Sequence, residues 1–439
     1  MIERIYATNY RAFEDLDIDL SKINLFFGPN NSGKSSILSL ISVLSQTLNS
    51  SDHSVPLLLR GSKEDLGTYG DMVHNHNTED AITIGIQIKP FEKEPQKSLK
   101  VEKKPFNAII ELKYGFRPIR HEIVLNQIML EFPSEDIKLK IEKSKSYSSN
   151  NYYLTKLKIK EKESDKHIKV EFLNHFLPYL YSDIFESSKI RYKFLNFPFT
   201  FAREIKDIEF IGAFREPPKR TYMFSGENPG SVGTHGERAI DLMLIDYFKQ
   251  GREKKQIVNL ISKWFKKSEI SEKININTIS DRHLEIKLSQ IRKNPDSSDK
   301  QDNLVDVGYG CSQILPILVA GYSLSEGKIL MVQEPEIHLH PKAQAELGTF
   351  FYELAKKGVQ SIIETHSEHL LLRLQAHVAD KRSGLSPSDV RIYYVNVKDG
   401  KRVIERLYLK ENGFFENEWP EGFFPERYNE AKKIALGKI

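Results

Sequence analysis

The chain has 439 residues, which is long enough for two or three domains that each bury a core. Its net charge is +4 and 28% of its residues are charged, a balance that permits contact with nucleic acid without indicating it. The single cysteine, Cys311, excludes an intrachain disulfide framework and a multi-cysteine zinc site. The sequence shows no signal core and no run of about 18 apolar residues, so we expect a cytoplasmic protein without a membrane partner.

The first hundred residues predict a strand, a glycine-rich loop and a helix in succession. The apolar stretch KINLFFG (22–28) is typical of a buried strand, and SSILSLISVLSQTLN (35–49) has apolar residues at helical spacing. A further strand is predicted at EDAITIGIQI (79–88). We therefore assign residues 1–99 to the first part of one α/β domain.

The texture changes between residues 100 and 209, where apolar and polar residues alternate between lysine- and serine-rich turns. This alternation predicts an inserted, largely antiparallel β-rich lobe. Polar stretches at 143–153 and 290–303 predict loop tips. Residues 210–305 are assigned to a helical and basic connecting segment.

From Asp306 onward the pattern becomes compact α/β. The runs KILMVQEP (328–335) and QSIIETHS (360–367) predict central parallel strands, with a helix at 344–357 between them. We assign residues 306–385 to the second part of the α/β domain. Residues 386–439 are predicted to form a hairpin that turns at Asp399-Gly400, followed by a tail.

The segment from Gly28 to Ser35, GPNNSGKS, fits the phosphate-loop pattern G-x-x-x-x-G-K-S. Its glycines would let backbone N–H groups turn toward phosphates, Lys34 would reach the β- and γ-phosphates, and Ser35 would ligate Mg²⁺. The preceding strand and following helix strengthen this interpretation, because a helix N-terminus carries partial positive charge. An ordinary strand-to-helix turn is the alternative.

Three further motifs lie far downstream: VDVGYGCSQILPIL (305–318), KILMVQEPEIHLHP (328–341) and VQSIIETHSEH (359–369). The Asn-Lys-x-Asp motif expected of a GTPase is absent from the sequence. The order of glycine-rich turn, acidic strand end and histidine strand end resembles the ABC-type ATPase heads of the SMC, RecF and OLD families. The resemblance covers roughly residues 1–80 and 300–385. It implies an ABC-type P-loop head, two copies of which enclose ATP between the phosphate loop of one and the signature loop of the other.

This resemblance also implies roles for single residues. Glu334 would polarise the attacking water and His366 would contact the γ-phosphate. Gln333 stands where these families carry a carboxylate for Mg²⁺; an amide oxygen is a poorer ligand, so we expect slow hydrolysis, with Glu336 as a compensating charge. The residues expected to contact ATP are Arg11, Asn30, Asn31, Ser32, Gly33, Lys34, Ser35, Ser36, Gly308, Gly310 and Ser312.

Several of these residues allow a second interpretation. Arg11 would lie near the base or ribose, or be a surface arginine. The pairs His338 and His340, and His366 and His369, have spacings that also occur in metal sites. The turn at Gly308–Ser312 could be an ordinary loop-to-helix junction.

Two segments outside these motifs complete the resemblance. GTYGDMV (67–73) occupies the place of a loop that couples nucleotide state to the inserted lobe. The stretch 212–237, which contains Arg215, Lys219 and Arg220, and the WPEGFF element (419–424) resemble a bacterial branch of OLD-like ATPases. The arginines and lysine would contact phosphate or nucleic acid, or form a structured loop beside the ATPase site.

The wider class includes ATPases of antiphage systems such as Septu, Gabija and PARIS. The sequence after His366 is too short for the Toprim nuclease domain of OLD nucleases and contains no Asp-x-Asp. We therefore expect an ATP-dependent homodimer or larger assembly that regulates a separate nuclease or toxin. The alternatives are a nucleic-acid-binding ATPase of the RecF or SMC type and a slowly hydrolysing, ATP-held scaffold.

Overall fold

The computed structural model describes residues 1–89, 107–144, 151–179, 188–249, 256–291 and 300–416. The WPEGFF element and the central parts of both predicted loop tips lie outside these ranges. The described residues form two compact units. The first unit takes its described residues from Met1–Ser21, Ser35–Ile208 and Gly327–Ile329, and the second takes its described residues from Lys22–Lys34, Glu209–Glu326 and Leu330–Ile439.

The described residues form nineteen strands and eight α-helices. The strands are β1 (Ile2–Tyr10), β2 (Phe13–Asp19), β3 (Ile23–Phe27), β4 (Ile82–Ile88), β5 (Ala108–Arg117), β6 (Glu122–Phe132), β7 (Ile137–Lys143), β8 (Tyr152–Ile159), β9 (Lys162–Asn174), β10 (Leu177–Tyr179), β11 (Glu209–Ile211), β12 (Tyr222–Met223), β13 (Lys273–Thr278), β14 (His283–Ser289), β15 (Gln301–Asn303), β16 (Ile329–Gln333), β17 (Gln360–Glu364), β18 (Val390–Lys398) and β19 (Lys401–Leu407). The α-helices are α1 (Lys34–Leu48), α2 (Tyr69–Met72), α3 (Ser188–Lys206), α4 (Ala239–Phe248), α5 (Ile257–Lys267), α6 (Tyr309–Ser323), α7 (Pro341–Lys356) and α8 (Glu368–Ala379).

The first unit is built on a nine-stranded sheet in the order β10-β9-β8-β7-β6-β5-β4-β1-β2. Neighbouring strands of this sheet are antiparallel, and alternate residues are buried, as in the pairs Leu130↔Leu139 and Ile128↔Ile141. One face is therefore apolar and the other polar, the pattern expected for an antiparallel sheet. This confirms the predicted α/β fold class with a large antiparallel part. The sheet includes β1, β2 and β4, which precede the predicted lobe. The bounds of the five predicted segments stay predictions.

The second unit contains a six-stranded sheet in the order β11-β16-β17-β3-β18-β19. Strand β3 pairs in parallel with β17 and with β18, and all five of its residues are buried. Such a continuous apolar strand is typical of the centre of a parallel sheet. A smaller sheet has the order β12-β14-β13, with β15 paired to β14.

Local sequence signals explain several boundaries in this unit. Helix α7 begins with Pro341 after His340, whose ring accepts a hydrogen bond from the Lys342 amide, and α8 begins after Ser367, which caps the Leu370 amide. The predicted strands β3, β4, β16 and β17 and the helices α1 and α7 are confirmed. The predicted hairpin is confirmed too: β18 and β19 pair antiparallel, and Asp399 and Gly400 both have positive φ, as a type I′ turn requires.

No helix in the described part of the chain is long and apolar enough to cross a membrane.

Gly28 is a position where this fold requires glycine. It has φ of +145°, and a Cβ built there would lie 2.0 Å from the carbonyl oxygen of Val395 on β18. We expect Gly28→Ala to lower the free energy of unfolding by about 3 kcal/mol, through backbone strain and overlap. A urea midpoint measurement checks this. The control is Gly70→Ala, whose Cβ would make ordinary contacts of 3.6 Å; equal midpoints for the two variants would contradict the prediction.

Candidate functional site

The predicted phosphate loop leaves the end of the central strand β3 and leads into helix α1. Three residues of the loop have positive φ: +145° at Gly28, +61° at Asn31 and +109° at Gly33. These reversals give the loop its tight turn. Pro29, Asn30, Asn31 and Ser35 are exposed, whereas Ser32 and Lys34 are buried. The loop thus offers an exposed rim at the N-terminus of a helix, where backbone N–H groups and the helix dipole favour an anion.

Lys34 closes the loop on itself. Its Nζ donates hydrogen bonds to the carbonyl oxygens of Gly28 and Pro29, at 3.0 and 2.9 Å. Burial lowers the pKa of Lys34, and the carboxylates of Glu364, Glu334 and Glu336 oppose that shift. The ammonium group is therefore held at the loop by two backbone carbonyl oxygens.

Ser32 adds a second indication of a ligand. Its hydroxyl oxygen is buried and has no hydrogen-bond partner within the described part of the chain. A buried hydroxyl without a partner is costly, so such groups usually meet a ligand or an ordered water. Ser35 and Ser36 follow Lys34 in the first turn of α1, and the carbonyl of Ser36 accepts from Ser39.

Hydrogen bonds join the carboxyl ends of β3, β16 and β17. The Thr365 amide, after β17, donates to the Phe26 carbonyl of β3 at 3.1 Å. The Glu334 amide, after β16, donates to the Glu364 carbonyl of β17 at 2.7 Å. Gln333 is the last residue of β16, and Glu334 follows it with φ of +45°. The predicted acidic and histidine strand ends therefore lie on the same sheet edge as the phosphate loop.

Glu336 organises the residues after β17. One of its carboxylate oxygens accepts from the His366 amide at 2.5 Å, and the other accepts from the Thr365 hydroxyl at 2.8 Å. Burial raises the pKa of Glu336, and these two hydrogen bonds oppose the rise. The sequence suggested only an electrostatic role for Glu336, since these contacts depend on the tertiary fold.

His366 lies exposed at the end of β17. Its pKa is lowered, first by partial burial and then by the positive charge of Lys34, while Glu334 opposes the shift. The imidazole is thus electrostatically coupled to both Lys34 and Glu334 and is neutral at neutral pH.

The glycine-rich turn forms the start of helix α6. Gly308 precedes the helix and is exposed, as is Tyr309, while Ser312 is buried and its hydroxyl donates to the Tyr309 carbonyl at 2.8 Å. A Cβ on Gly310 would lie 2.3 Å from the His338 carbonyl. This contact packs the turn against the IHLHP segment. The exposed groups of the turn are therefore Gly308 and the N–H end of α6, with the Ser312 hydroxyl engaged inside the helix.

His338 and His340, in the segment after β16, make contacts that need no metal ion. The rings of His338 and Tyr309 meet edge to face with centroids 5.1 Å apart, and His340 caps α7. Within the described residues no group of three or more His, Cys, Asp or Glu side chains is arranged to hold a metal ion.

Arg11 lies in the turn between β1 and β2, in the unit with the antiparallel sheet. Its Nη1 donates to the Ser39 hydroxyl of α1 at 3.3 Å, and its carbonyl accepts from the His74 ring at 2.8 Å. The nearby GTYGDMV segment contains α2, which is capped by Thr68 and Asp71. The role of Arg11 toward a nucleotide stays a prediction.

The basic stretch 212–237 separates into a buried and an exposed part. Arg215 is only 5% exposed and donates from Nη2 to the carbonyl oxygens of Gln333 and Glu334, at 2.5 and 3.1 Å. Lys219 lies 3.6 Å from Glu216, and Arg220 makes a bidentate ion pair with Asp306. Arg215 therefore fits the interpretation as part of a structured loop, because it packs against the turn formed by Gln333 and Glu334.

Comparison with known proteins agrees with this geometry. A family model described as an AAA ATPase domain matches residues 1–371. The chain belongs to this AAA ATPase domain family. A second model, described as a protein of unknown function (DUF3696), matches residues 385–434. Membership of the ATPase family supports ATPase activity, and no curated protein matches the chain.

Several solved structures are similar to the chain. The SmcHead bound to the C-winged helix domain of ScpA has a TM-score of 0.47 and 14% identity, covering 93% of this chain and 98% of that one. The SMC head domain from Thermotoga maritima has a TM-score of 0.37 and 12% identity, over 93% and 99%. The Smc head domain with an extended coiled coil bound to the C-terminal domain of ScpA, derived from Pyrococcus furiosus, has 0.41 and 11%, over 99% and 98%. TM-scores this low carry no functional inference.

Lys34 provides the most direct test of the phosphate loop. We expect Lys34→Ala to weaken ATP binding by about 100-fold, because a cation that makes charge-assisted hydrogen bonds to phosphate is lost. Isothermal titration with ATP and Mg²⁺ measures this. Lys22→Ala serves as the control, since Lys22 precedes β3 and pairs with Asp389 at 3.0 Å. Wild-type affinity in Lys34→Ala would show that the loop does not bind the phosphates.

Proposed function

We propose that the protein is an ATPase that binds ATP and Mg²⁺ at the edge formed by β3, β16 and β17, and that two copies enclose the nucleotide. The observation that carries this proposal is the pair of backbone hydrogen bonds, Thr365 to Phe26 and Glu334 to Glu364, that joins the ends of β3, β16 and β17 beside the loop that holds Lys34. A cation and carboxylates brought together from separate parts of the sequence are what phosphoryl transfer requires.

The triphosphate would lie on the exposed rim of the loop. Asn30, Asn31, Gly33 and Lys34 would hold it, and the unpartnered hydroxyl of Ser32 offers a further donor. Ser35 and Gln333 would supply oxygen ligands to Mg²⁺, which neutralises phosphate charge when bound. Both residues carry uncharged oxygens, so this donor set fits Mg²⁺ less tightly than one with a carboxylate at position 333. We therefore propose slow hydrolysis.

Glu334 and His366 would carry out the steps at the γ-phosphate. Glu334 is placed within electrostatic reach of both Lys34 and His366, so it can orient a water and accept its proton. His366 is neutral at neutral pH and has a ring N–H to donate to a phosphate oxygen. Its backbone is fixed by Glu336, which keeps the ring at the sheet edge.

The second copy would contribute the turn at Gly308–Ser312. The turn exposes Gly308 and the N-terminus of α6, a site suited to the γ-phosphate of ATP bound to another copy. ATP would then hold two copies together until it is hydrolysed. This nucleotide-dependent association would act as a switch that is read by a partner protein.

We further propose that the partner is a nuclease or toxin and that the assembly serves in antiphage defence. This part rests on the resemblance to OLD-like ATPases. Deletion of the gene should change phage susceptibility, and affinity purification of the full chain should recover an effector. Unchanged susceptibility together with the absence of any effector would contradict this part while leaving the ATPase assignment intact.

Glu334→Gln tests the nucleotide switch. The variant keeps ATP but cannot activate water, so we expect it to form a dimer or higher oligomer with ATP bound, detected by native mass spectrometry. Steady phosphate release by the wild type should fall at least about 100-fold in the variant. Glu326→Gln, which changes an exposed residue in the loop before β16, is the matched control.

The outcomes separate the alternatives. A Glu334→Gln protein that stays monomeric with ATP would contradict the proposed dimer. Equal, very slow phosphate release by both proteins, with ATP retained in an oligomer, would instead favour the ATP-held scaffold.

The lysine-rich sheet face is the observation behind the nucleic-acid alternative. Lys138 lies opposite Lys158, and Lys140 lies opposite Lys156, on β7 and β8. Three of these lysines are paired with carboxylates: Lys138 with Glu131 at 2.9 Å, Lys140 with Glu142 at 2.8 Å, and Lys156 with Glu163 at 3.1 Å. The face is thus interleaved in charge, which favours a protein partner over a phosphate backbone. ATP-dependent, salt-sensitive DNA binding would reverse that preference.

A further inference from the structure

The least expected feature of the candidate site is the buried guanidinium of Arg215. Its side chain is 5% exposed, and Nη2 is shared between the carbonyl oxygens of Gln333 and Glu334. Neither Nε nor Nη1 has a hydrogen-bond partner among the described residues. Burial lowers the pKa of Arg215 to about 10, against the opposing charges of Glu336 and Glu334. Burying an arginine with so few partners costs free energy, so its contacts are expected to support a functional group.

The Gln333–Glu334 turn needs such a contact. Glu334 has φ of +45°, a left-handed conformation that costs a non-glycine residue about 1–3 kcal/mol unless its surroundings hold it. Hydrogen bonds hold this turn from both ends: the Glu334 amide donates to the Glu364 carbonyl, and the Glu334 carbonyl accepts from the Ile337 amide at 3.4 Å. Arg215 is the side chain that joins them, since its Nη2 donates to the carbonyl oxygens of both Gln333 and Glu334. The guanidinium therefore fixes the direction in which the Glu334 side chain leaves the chain.

Arg215 is itself held rigidly. The Gly212 amide donates to the Thr234 carbonyl, and the Glu216 amide donates to the His235 carbonyl, each at 2.9 Å. These bonds tie the loop on both sides of Arg215 to a second segment. Gly212 also lies against the acidic turn, because a Cβ built there would come within 3.8 Å of the Gln333 side-chain oxygen. A rigid support can impose a strained conformation, whereas a flexible one cannot.

We propose that Arg215 is a positioning residue for Glu334. Its hydrogen bonds to the carbonyl oxygens of Gln333 and Glu334 hold the turn in one conformation, which directs the Glu334 carboxylate toward the phosphate loop. The inference rests on the proposed function, because it assumes that Glu334 activates water. A carboxylate at position 333 that bound Mg²⁺ would help to fix this turn. With Gln333 in that position, the buried Arg215 takes over part of that role. Arg215 does not contact the nucleotide.

The kinetic test compares Arg215→Met with Arg382→Met, which removes an exposed arginine paired with Asp380. We expect Arg215→Met to lower kcat by about 100-fold, as for a displaced catalytic group, with the ATP dissociation constant changed less than about threefold. Arg382→Met should match the wild type. In a Glu334→Gln background, Arg215→Met should cause no further loss of turnover, because the group it positions is already gone.

Hydrogen exchange followed by mass spectrometry provides a readout that does not depend on turnover. In Arg215→Met, the amides of Glu334, Glu336 and Ile337 should exchange faster, while those of the phosphate loop, residues 30–34, stay as in the wild type. If Arg215→Met does not fold, Arg215→Lys makes the same test, since an ammonium can retain the charge and one carbonyl contact; its kcat should fall about tenfold with ATP binding unchanged.

The outcomes distinguish this inference from the proposed function. A wild type that never hydrolyses ATP, with faster exchange at 334–337 in the variant, would overturn the proposed activity and leave the clamp in place. Wild-type exchange at 334–337 in Arg215→Met would overturn the clamp. An equal loss of kcat in the wild-type and Glu334→Gln backgrounds would also overturn it, because the effect would then be independent of Glu334.

Discussion

The candidate site depends on two backbone hydrogen bonds between strand ends, Thr365 to Phe26 and Glu334 to Glu364. Strand β3 carries the phosphate loop, β17 carries His366 and β16 carries Glu334, and these bonds hold the three carboxyl ends at one edge of the sheet. Residues from distant parts of the sequence thereby enter the same electrostatic environment. The chain leaves β3 and β16 through residues with positive φ, Gly28 and Glu334, and at Glu334 this conformation is unfavourable.

Position 333 makes this site different from one with two adjacent carboxylates. Gln333 brings no charge, yet the turn it begins is bordered by charges on two sides: Arg215 beneath it and Glu336 beside it. Both carboxylate oxygens of Glu336 accept hydrogen bonds, one from the His366 amide and one from the Thr365 hydroxyl. The buried charges of Arg215 and Glu336 therefore fix the backbone of the site. This arrangement accords with the slow hydrolysis that we propose.

Much of the fold could be predicted because its signals are local. The strand, glycine loop and helix around Gly28–Lys34, and the hairpin at Asp399-Gly400, each follow from a few adjacent residues, and the structure confirms them. Arg215 could not be placed in this way, because its environment depends on the distant carbonyl of Gln333. The Ser312 hydroxyl donates to the Tyr309 carbonyl in the first turn of its own helix, a local contact that the glycine-rich pattern does not distinguish from a contact to phosphate. Glycine, serine and arginine suggest a phosphate contact in a sequence, but only burial separates a ligand contact from a structural one.

We propose above that a second copy of the chain completes the nucleotide site. An experimental structure of the Glu334→Gln protein with ATP and Mg²⁺ would decide this. We expect ATP phosphates on residues 28–35 of one copy, with Gly308 and the N-terminus of α6 from the other copy in contact with the γ-phosphate. ATP bound to a single copy, with its γ-phosphate open to solvent and the Gly308 turn facing away, would contradict the claim.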